Sequence, residues 1–175
     1  MVHNLLGHDG AVLVIDVQRG LFGKPTPIYQ AEELLANISV LVERARVVEA
    51  LVVYVQHSSH RQLRLGSEDW QLHPSLVPRD GDLIVHKTHG NAFEETLLHS
   101  ELSTRGIQRL FVTGLVTHGC VRATAQGGIQ LGYEVIVASD AHSSYSKDAE
   151  RLVADWNRQL HDAGAIVVPT AELCP

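Results

Sequence analysis

The chain has few cysteines, a shortage of positive charge and no long apolar run, and each lack excludes something. Two cysteines, Cys120 and Cys174, cannot build the disulfide framework of a small secreted domain, so a reducing cytoplasm is the expected setting. Acidic residues outnumber basic ones and the net charge is -6, which argues against broad binding to nucleic acid or to anionic membranes. No apolar run approaches the roughly 20 residues that a membrane-spanning helix requires. The opening "MVHNLLGHDG" has neither the charged nor the apolar segment of a secretion signal. Internal repeats and low-complexity linkers are missing too.

What is present describes one globular domain spanning residues 1–175. A chain of 175 residues, 45% hydrophobic, is long enough to bury most of its apolar surface. Six apolar runs read as strands: "AVLVID" (11–16), "ALVVYVQ" (50–56), "LIVHK" (83–87), "RLFVTG" (109–114), "YEVIVASD" (133–140) and "AIVVP" (165–169). Between them lie helical patterns. Leu34, Leu35, Ile38, Leu41, Val42 and Ala45 share one face of a helix over 30–48. Further helices are predicted over 96–105, 120–131 and 147–163, each followed by a glycine (Gly106, Gly132, Gly164) suited to a C-terminal cap.

Strands alternating with helices imply a three-layer, doubly wound α/β fold, a parallel sheet with helices on both faces. Such sheets place their sites beyond the carboxyl ends of the strands. Asp16, Lys87 and Cys120 all fall at or just past such ends. Cys120 stands where a helix is predicted to begin, and a helix N-terminus together with Lys87 is expected to lower its pKa toward thiolate. A carboxylate after four apolar residues needs a partner, and Lys87 can supply one. Spacing alone leaves plainer readings open. A lone interior cysteine is often an inert core residue, and a strand-end Asp or Lys is often a solvated cap. Residues 57–82 form a long connection with weak periodicity, and Trp70, Leu72 and Leu76 give it enough to pack as an ordered lid.

Three segments, "VLVIDVQRGLF" (12–22), "VHKTHGNAFEETLL" (85–98) and "VTGLVTHGCVRATAQGGIQLGYEVIVASDA" (112–141), resemble the isochorismatase-like cysteine hydrolase superfamily, in that order and over residues 10–169. The resemblance implies a Rossmann-like, six-stranded parallel sheet of order 3-2-1-4-5-6. It implies an Asp16, Lys87, Cys120 catalytic triad and a non-proline cis peptide at Leu115–Val116. With that bond cis, the N–H groups of Val116 and Cys120 would form an oxyanion hole. The implied activity is hydrolysis of a C–N bond in a small amide-type molecule through a Cys120 thioester, with no cofactor, in a homodimer or higher homo-oligomer. Relatives that cleave the vinyl ether of isochorismate lack the cysteine, so that activity is an alternative here. A non-catalytic thiol or redox-sensing protein, pairing Cys120 with Cys174, is another.

Nicotinamidases of the same superfamily hold a divalent metal with an Asp-x-His pair after the second strand. Here Gln56 and His57 stand in that place, so no metal is expected. A weaker alternative groups His57, His60 and His73 into a three-nitrogen site and makes the protein a metal-assisted nicotinamidase. Candidate pocket residues are Gln18, Phe22, His57, Trp70, Phe93 and His118. Gly127 and Gly128 fall inside a predicted helix, so they suit close packing rather than a phosphate loop.

Overall fold

A computed structural model describes residues 6–174. Residues 1–5 and 175, at the ends of the expected domain span, lie outside the described residues, as does half of the opening segment read for a secretion signal.

Six strands pair in one all-parallel sheet of order β3-β2-β1-β4-β5-β6: β1 (Gly10–Ile15), β2 (Leu51–His57), β3 (Leu83–Lys87), β4 (Arg109–Leu115), β5 (Glu134–Ser143) and β6 (Ile166–Val168). β1, in the middle, is buried at every position, as its unbroken apolar run requires. The edge strand β3 alternates instead, with Ile84 and His86 exposed and Val85 and Lys87 buried. Alternate residues of the central strands feed two separate cores. Val12, Val14 and Tyr54 meet Leu34, Ile38, Leu41 and Ala45 of α2 (Ala31–Val47) on one face. Leu13, Ile15 and Val55 meet Leu98 and Leu102 of α3 (Leu98–Thr104), Ala125 of α4 (Arg122–Gln130) and Leu160 of α5 (Ala149–Asp162) on the other.

Two short helices lie outside the predicted set: α1 (Arg19–Phe22) and α6 (Thr170–Leu173). Four-residue helices carry too little periodicity to be recognised in a sequence. The helix predicted to start at Cys120 starts elsewhere. A π-helical turn, Thr117–Val121, comes first, and α4 begins at Arg122. Gly119 breaks helical geometry inside that turn (φ -108, ψ -108), so regular helix is reached only after Cys120.

Two glycines set the sheet edge where β1 and β4 end. Gly114 has φ +111, and a Cβ there would lie 2.1 Å from the Ile15 carbonyl oxygen, so only glycine lets β4 run this close to the residue before Asp16. A Cβ on Gly127 would meet the Asn91 side chain at 2.6–2.9 Å, so α4 seats against the segment following β3 only without a side chain there.

The connection after β2 is ordered and stapled to the segment after β1. Gln18 bridges Leu72, Arg19 N–H donates to Gln71 O (2.9 Å), and His73 N–H donates to Val17 O (2.8 Å). Leu63 and Leu76 anchor it in the core.

Candidate active site

Asp16 follows β1 at φ 53, a left-handed backbone that Asp tolerates better than most residues. The turn aims its side chain along the carboxyl edge of the sheet, where it is 3% exposed. Lys87 ends β3, two strands away. Its side chain is fully buried and spans β2 to donate from Nζ to Asp16 Oδ2 at 3.0 Å. The same ammonium lies 3.0 Å from His57 Nδ1, 3.1 Å from the His89 carbonyl oxygen and 3.2 Å from Cys120 Sγ. Four acceptors therefore surround three N–H donors. Asp16 Oδ1 is buried without any hydrogen-bond partner. The Leu115–Val116 peptide is cis, as the resemblance implies.

The charge pattern differs from the sequence expectation. Burial pushes the Cys120 thiol up to about 12, and the neighbouring Asp16 carboxylate adds to this; Lys87 opposes it without prevailing. At rest the sulfur is a thiol, not the thiolate expected from its place before a helix. The cause is desolvation, which a sequence does not display. Burial also raises Asp16 against the pull of Lys87, Cys120 and His57. The result is a carboxylate more basic than usual, beside a protonated thiol.

The candidate metal trio does not assemble. Among the described residues, the one group of His, Cys, Asp or Glu close enough to hold a metal is Asp16, His57 and Cys120, with ligand atoms within 4.8 Å of one another. His60 is exposed outside it. His73 packs on Phe22 (4.5 Å between ring centroids), and its Nδ1 accepts from Ser75 N–H. In the group that does form, the Lys87 ammonium already serves all three residues, so these side chains do not suit a divalent cation.

Two other expectations change. Gln18 is fully buried and spends its whole amide on the chain: Nε2 donates to the His57 and Trp70 carbonyls (3.0 and 2.8 Å), and Oε1 accepts from His57 N–H (2.9 Å). It clamps the long connection instead of facing a substrate. Cys120 packs with one core and Cys174 with the other, both as free thiols, so the structure does not pair them.

The remaining candidates are placed as follows. His57 stands at the triad. Trp70 packs edge-on against His86 (4.8 Å). Phe93 stacks on Tyr133 (5.8 Å) within the second core. His118 is exposed on the turn before Cys120. A cleft of 620 Å³, lined by Ser58, Ser59, His60, Arg64, Thr88 and His89, opens directly after the ends of β2 and β3. Sequence reasoning had no signal for it, because its walls come from two loops 23 or more residues apart (residues 58–65 and 88–89).

An all-parallel, six-stranded sheet of this order with helices on both faces defines a doubly wound α/β class, and comparison with known proteins specifies it. The family model described as isochorismatase domain matches residues 10–172, and the chain belongs to the isochorismatase family of hydrolases. It is 32% identical to the secreted isochorismatase effector Isc1 of Verticillium dahliae, over 94% of this chain and 90% of that one. It is 32% identical to streptothricin hydrolase of Streptomyces noursei over 83% of this chain, but it spans only 53% of that protein's length. Its fold matches the crystal structure of an isochorismatase from Pseudomonas putida KT2440 with a TM-score of 0.87 at 26% identity, covering 95% and 90% of the two chains. Among the described residues no helix is long and apolar enough to cross a membrane.

Proposed function

We propose that the protein hydrolyses a C–N bond of amide type in a small molecule, through a thioester on Cys120. The observation that carries this reading is the unpartnered, buried Oδ1 of Asp16, in a carboxylate whose other oxygen Lys87 holds at 3.0 Å beside the Cys120 sulfur. A raised carboxylate with a free lone pair is a general base awaiting a proton.

Asp16 takes the Sγ proton as the sulfur attacks the substrate carbonyl carbon. The negative charge formed on the carbonyl oxygen is received by the N–H groups of Val116 and Cys120. When the tetrahedral adduct collapses, the C–N bond breaks, and Asp16 returns the proton to the departing nitrogen. Water then gives a proton to Asp16 and attacks the thioester carbonyl. The C–S bond breaks, the acid leaves, and the proton returns to sulfur. Lys87 stays charged throughout and favours each anion in turn. The thiol thus ionises only as it reacts, which agrees with its raised pKa. The rest of the substrate lies in the cleft beside Arg64 and Thr88.

The test is a screen of primary amides, ureides, lactams, nicotinamide, isochorismate and streptothricin, with intact-mass detection of an acyl group on Cys120. Release of acid and amine with a Cys120 adduct, both lost in Cys120→Ala, is the expected result. Turnover that survives in Cys120→Ala, or of isochorismate alone, overturns the reading. We also place the enzyme in the cytoplasm as a homodimer or higher homo-oligomer. Cell fractionation and sedimentation test this, and the fungal relative, named as secreted, makes the first of them necessary.

A further inference from the structure

Thr117 begins the turn that carries Cys120, and its fully buried side chain is held from outside the triad. Its hydroxyl lies 2.9 Å from His142 Nδ1. His142 Nε2 lies 2.8 Å from Asn157 Oδ1, and Asn157 Nδ2 donates to the Ser139 carbonyl at 3.0 Å. The direction of every bond follows from the far end. Asn157 spends its donor on Ser139, so its oxygen faces the ring and Nε2 must carry the proton. Burial lowers the pKa of His142 and keeps the ring neutral. A neutral ring protonated at Nε2 has a bare Nδ1, which accepts from the Thr117 hydroxyl. His142 pairs in register with Gly114 across β4 and β5, so the ring sits beside the strand that leads into the turn. None of these three side chains has a part in the chemistry above.

We propose that His142 and Asn157 are positioning residues: through Thr117 they fix the turn that presents Cys120 Sγ and follows the Val116 N–H. The proposal rests on Cys120 being the nucleophile. Protonation of His142 would put a proton on Nδ1 and remove the acceptor. The charged groups near the ring are Asp140 on its own strand, Glu33 of α2 and Glu150 of α5; all three line the 210 Å³ cavity against which His142 and Asn157 also lie, with the Tyr29 phenol.

The probe is 4-nitrophenyl acetate, whose ester carbonyl is attacked by Cys120 sulfur with loss of 4-nitrophenolate. Acetylation is mapped by mass spectrometry with Cys174 as an internal reference. Thr117→Val and His142→Leu are expected to slow Cys120 acetylation about tenfold to hundredfold, leaving Cys174 unchanged. His142→Asn, which keeps an acceptor near the Nδ1 position, recovers most of that loss. Asn157→Asp places a carboxylate beside Nε2 and favours the charged ring, so its rate relative to the unaltered protein falls as the pH is lowered toward about 6. Wild-type rates in Thr117→Val and His142→Leu, or a ratio for Asn157→Asp that is flat with pH, overturn the proposal. A second measurement needs no reaction. In Asn157→Asp, whose ring charges as the pH falls, the backbone amide NMR signals of Val116 and Cys120 should follow the His142 titration, and should cease to follow it when Thr117→Val is added. Signals that ignore His142, or that still follow it without the hydroxyl, count against the relay. Failure of Cys120 to acetylate in the unaltered protein sinks the hydrolase reading, and the NMR result then decides the relay by itself.

Discussion

Two buried polar clusters flank the turn Thr117–Val121, and they are built on opposite principles. Around Lys87, four acceptors compete for three donors, one carboxylate oxygen has no partner, and burial raises both Asp16 and Cys120. Around His142, each donor meets one acceptor and no charge is buried. A satisfied neutral network adds rigidity at little electrostatic cost. An oversubscribed charged one is poised to move a proton. Conflict is thus confined to the side of the turn where chemistry is proposed, and order to the side that holds it.

The largest expected effect comes from removing the base. Asp16→Asn keeps the size of the side chain, and Asn also tolerates the left-handed backbone at φ 53. We expect kcat to fall by roughly 10²–10⁴-fold. Alkylation of Cys120 by iodoacetamide should become faster in the same variant, because Asp16 is one of the groups that push the thiol up. Opposite movements of turnover and thiol reactivity are the signature of a general base. Retained turnover, or a thiol no more reactive than before, would break the assignment of conflict to this cluster.

Next in size is the effect of Lys87→Met, which strands a buried carboxylate. Breaking a buried pair from one side costs about 3–5 kcal/mol. Asp16 is already raised above its unfolded value, and Lys87 is the main group opposing that rise. Without Lys87 the folded pKa climbs further. Ionisation of Asp16 then disfavours the fold at high pH, and stability returns as the pH falls toward the unfolded carboxylate value of about 3.9. Urea unfolding at two pH values checks this. A deficit that does not change with pH would mean that Lys87 acts by packing alone.

Much of the charged cluster was legible in the sequence, and almost none of the neutral one. Parallel strands end on one edge, so Asp16, Lys87 and Cys120 announced themselves as polar residues after apolar runs. The strand order came from the resemblance. Thr117 lies in the third segment that carries the resemblance, but His142 and Asn157, 25 and then 15 positions further on, lie outside all three, and only the folded chain shows that their atoms meet. The thiol's true charge state, the clamp made by Gln18 and the scattering of His57, His60 and His73 depend on burial and side-chain direction. Residue spacing records neither.

Gln18 extends the comparison to a third buried polar group. Like the His142 relay it is neutral and satisfied, but it ties a connection rather than a turn. Gln18→Met removes the side-chain partner of the His57 carbonyl and N–H, at about 1–3 kcal/mol, while the Trp70 carbonyl keeps the Gln56 amide at 3.1 Å. Hydrogen exchange should rise in residues 58–72 and stay unchanged in the Thr117–Val121 turn. Equal loosening of both would show that the two restraints are not independent.

The smallest expected effect is also the one that separates the clusters most directly, because they respond to acid with opposite signs. Asp16 is raised in the folded chain, so its contribution to stability is greatest at low pH and is lost as pH rises. His142 is lowered, so its contribution is present above the unfolded imidazole value of about 6.5 and is lost as pH falls, because the unfolded chain takes up a proton that the buried ring refuses. His57 and His73 are lowered as well, but they remain in both proteins when His142→Asn is compared with the unaltered chain. The variant should therefore lose stability more gradually below about pH 6.5, by up to about 1.4 kcal/mol per pH unit over the window in which His142 alone differs. Chemical denaturation across that range measures the slopes. Parallel slopes would show that His142 accepts its proton in the folded state, and a ring that does so cannot be the fixed acceptor on which Thr117 depends.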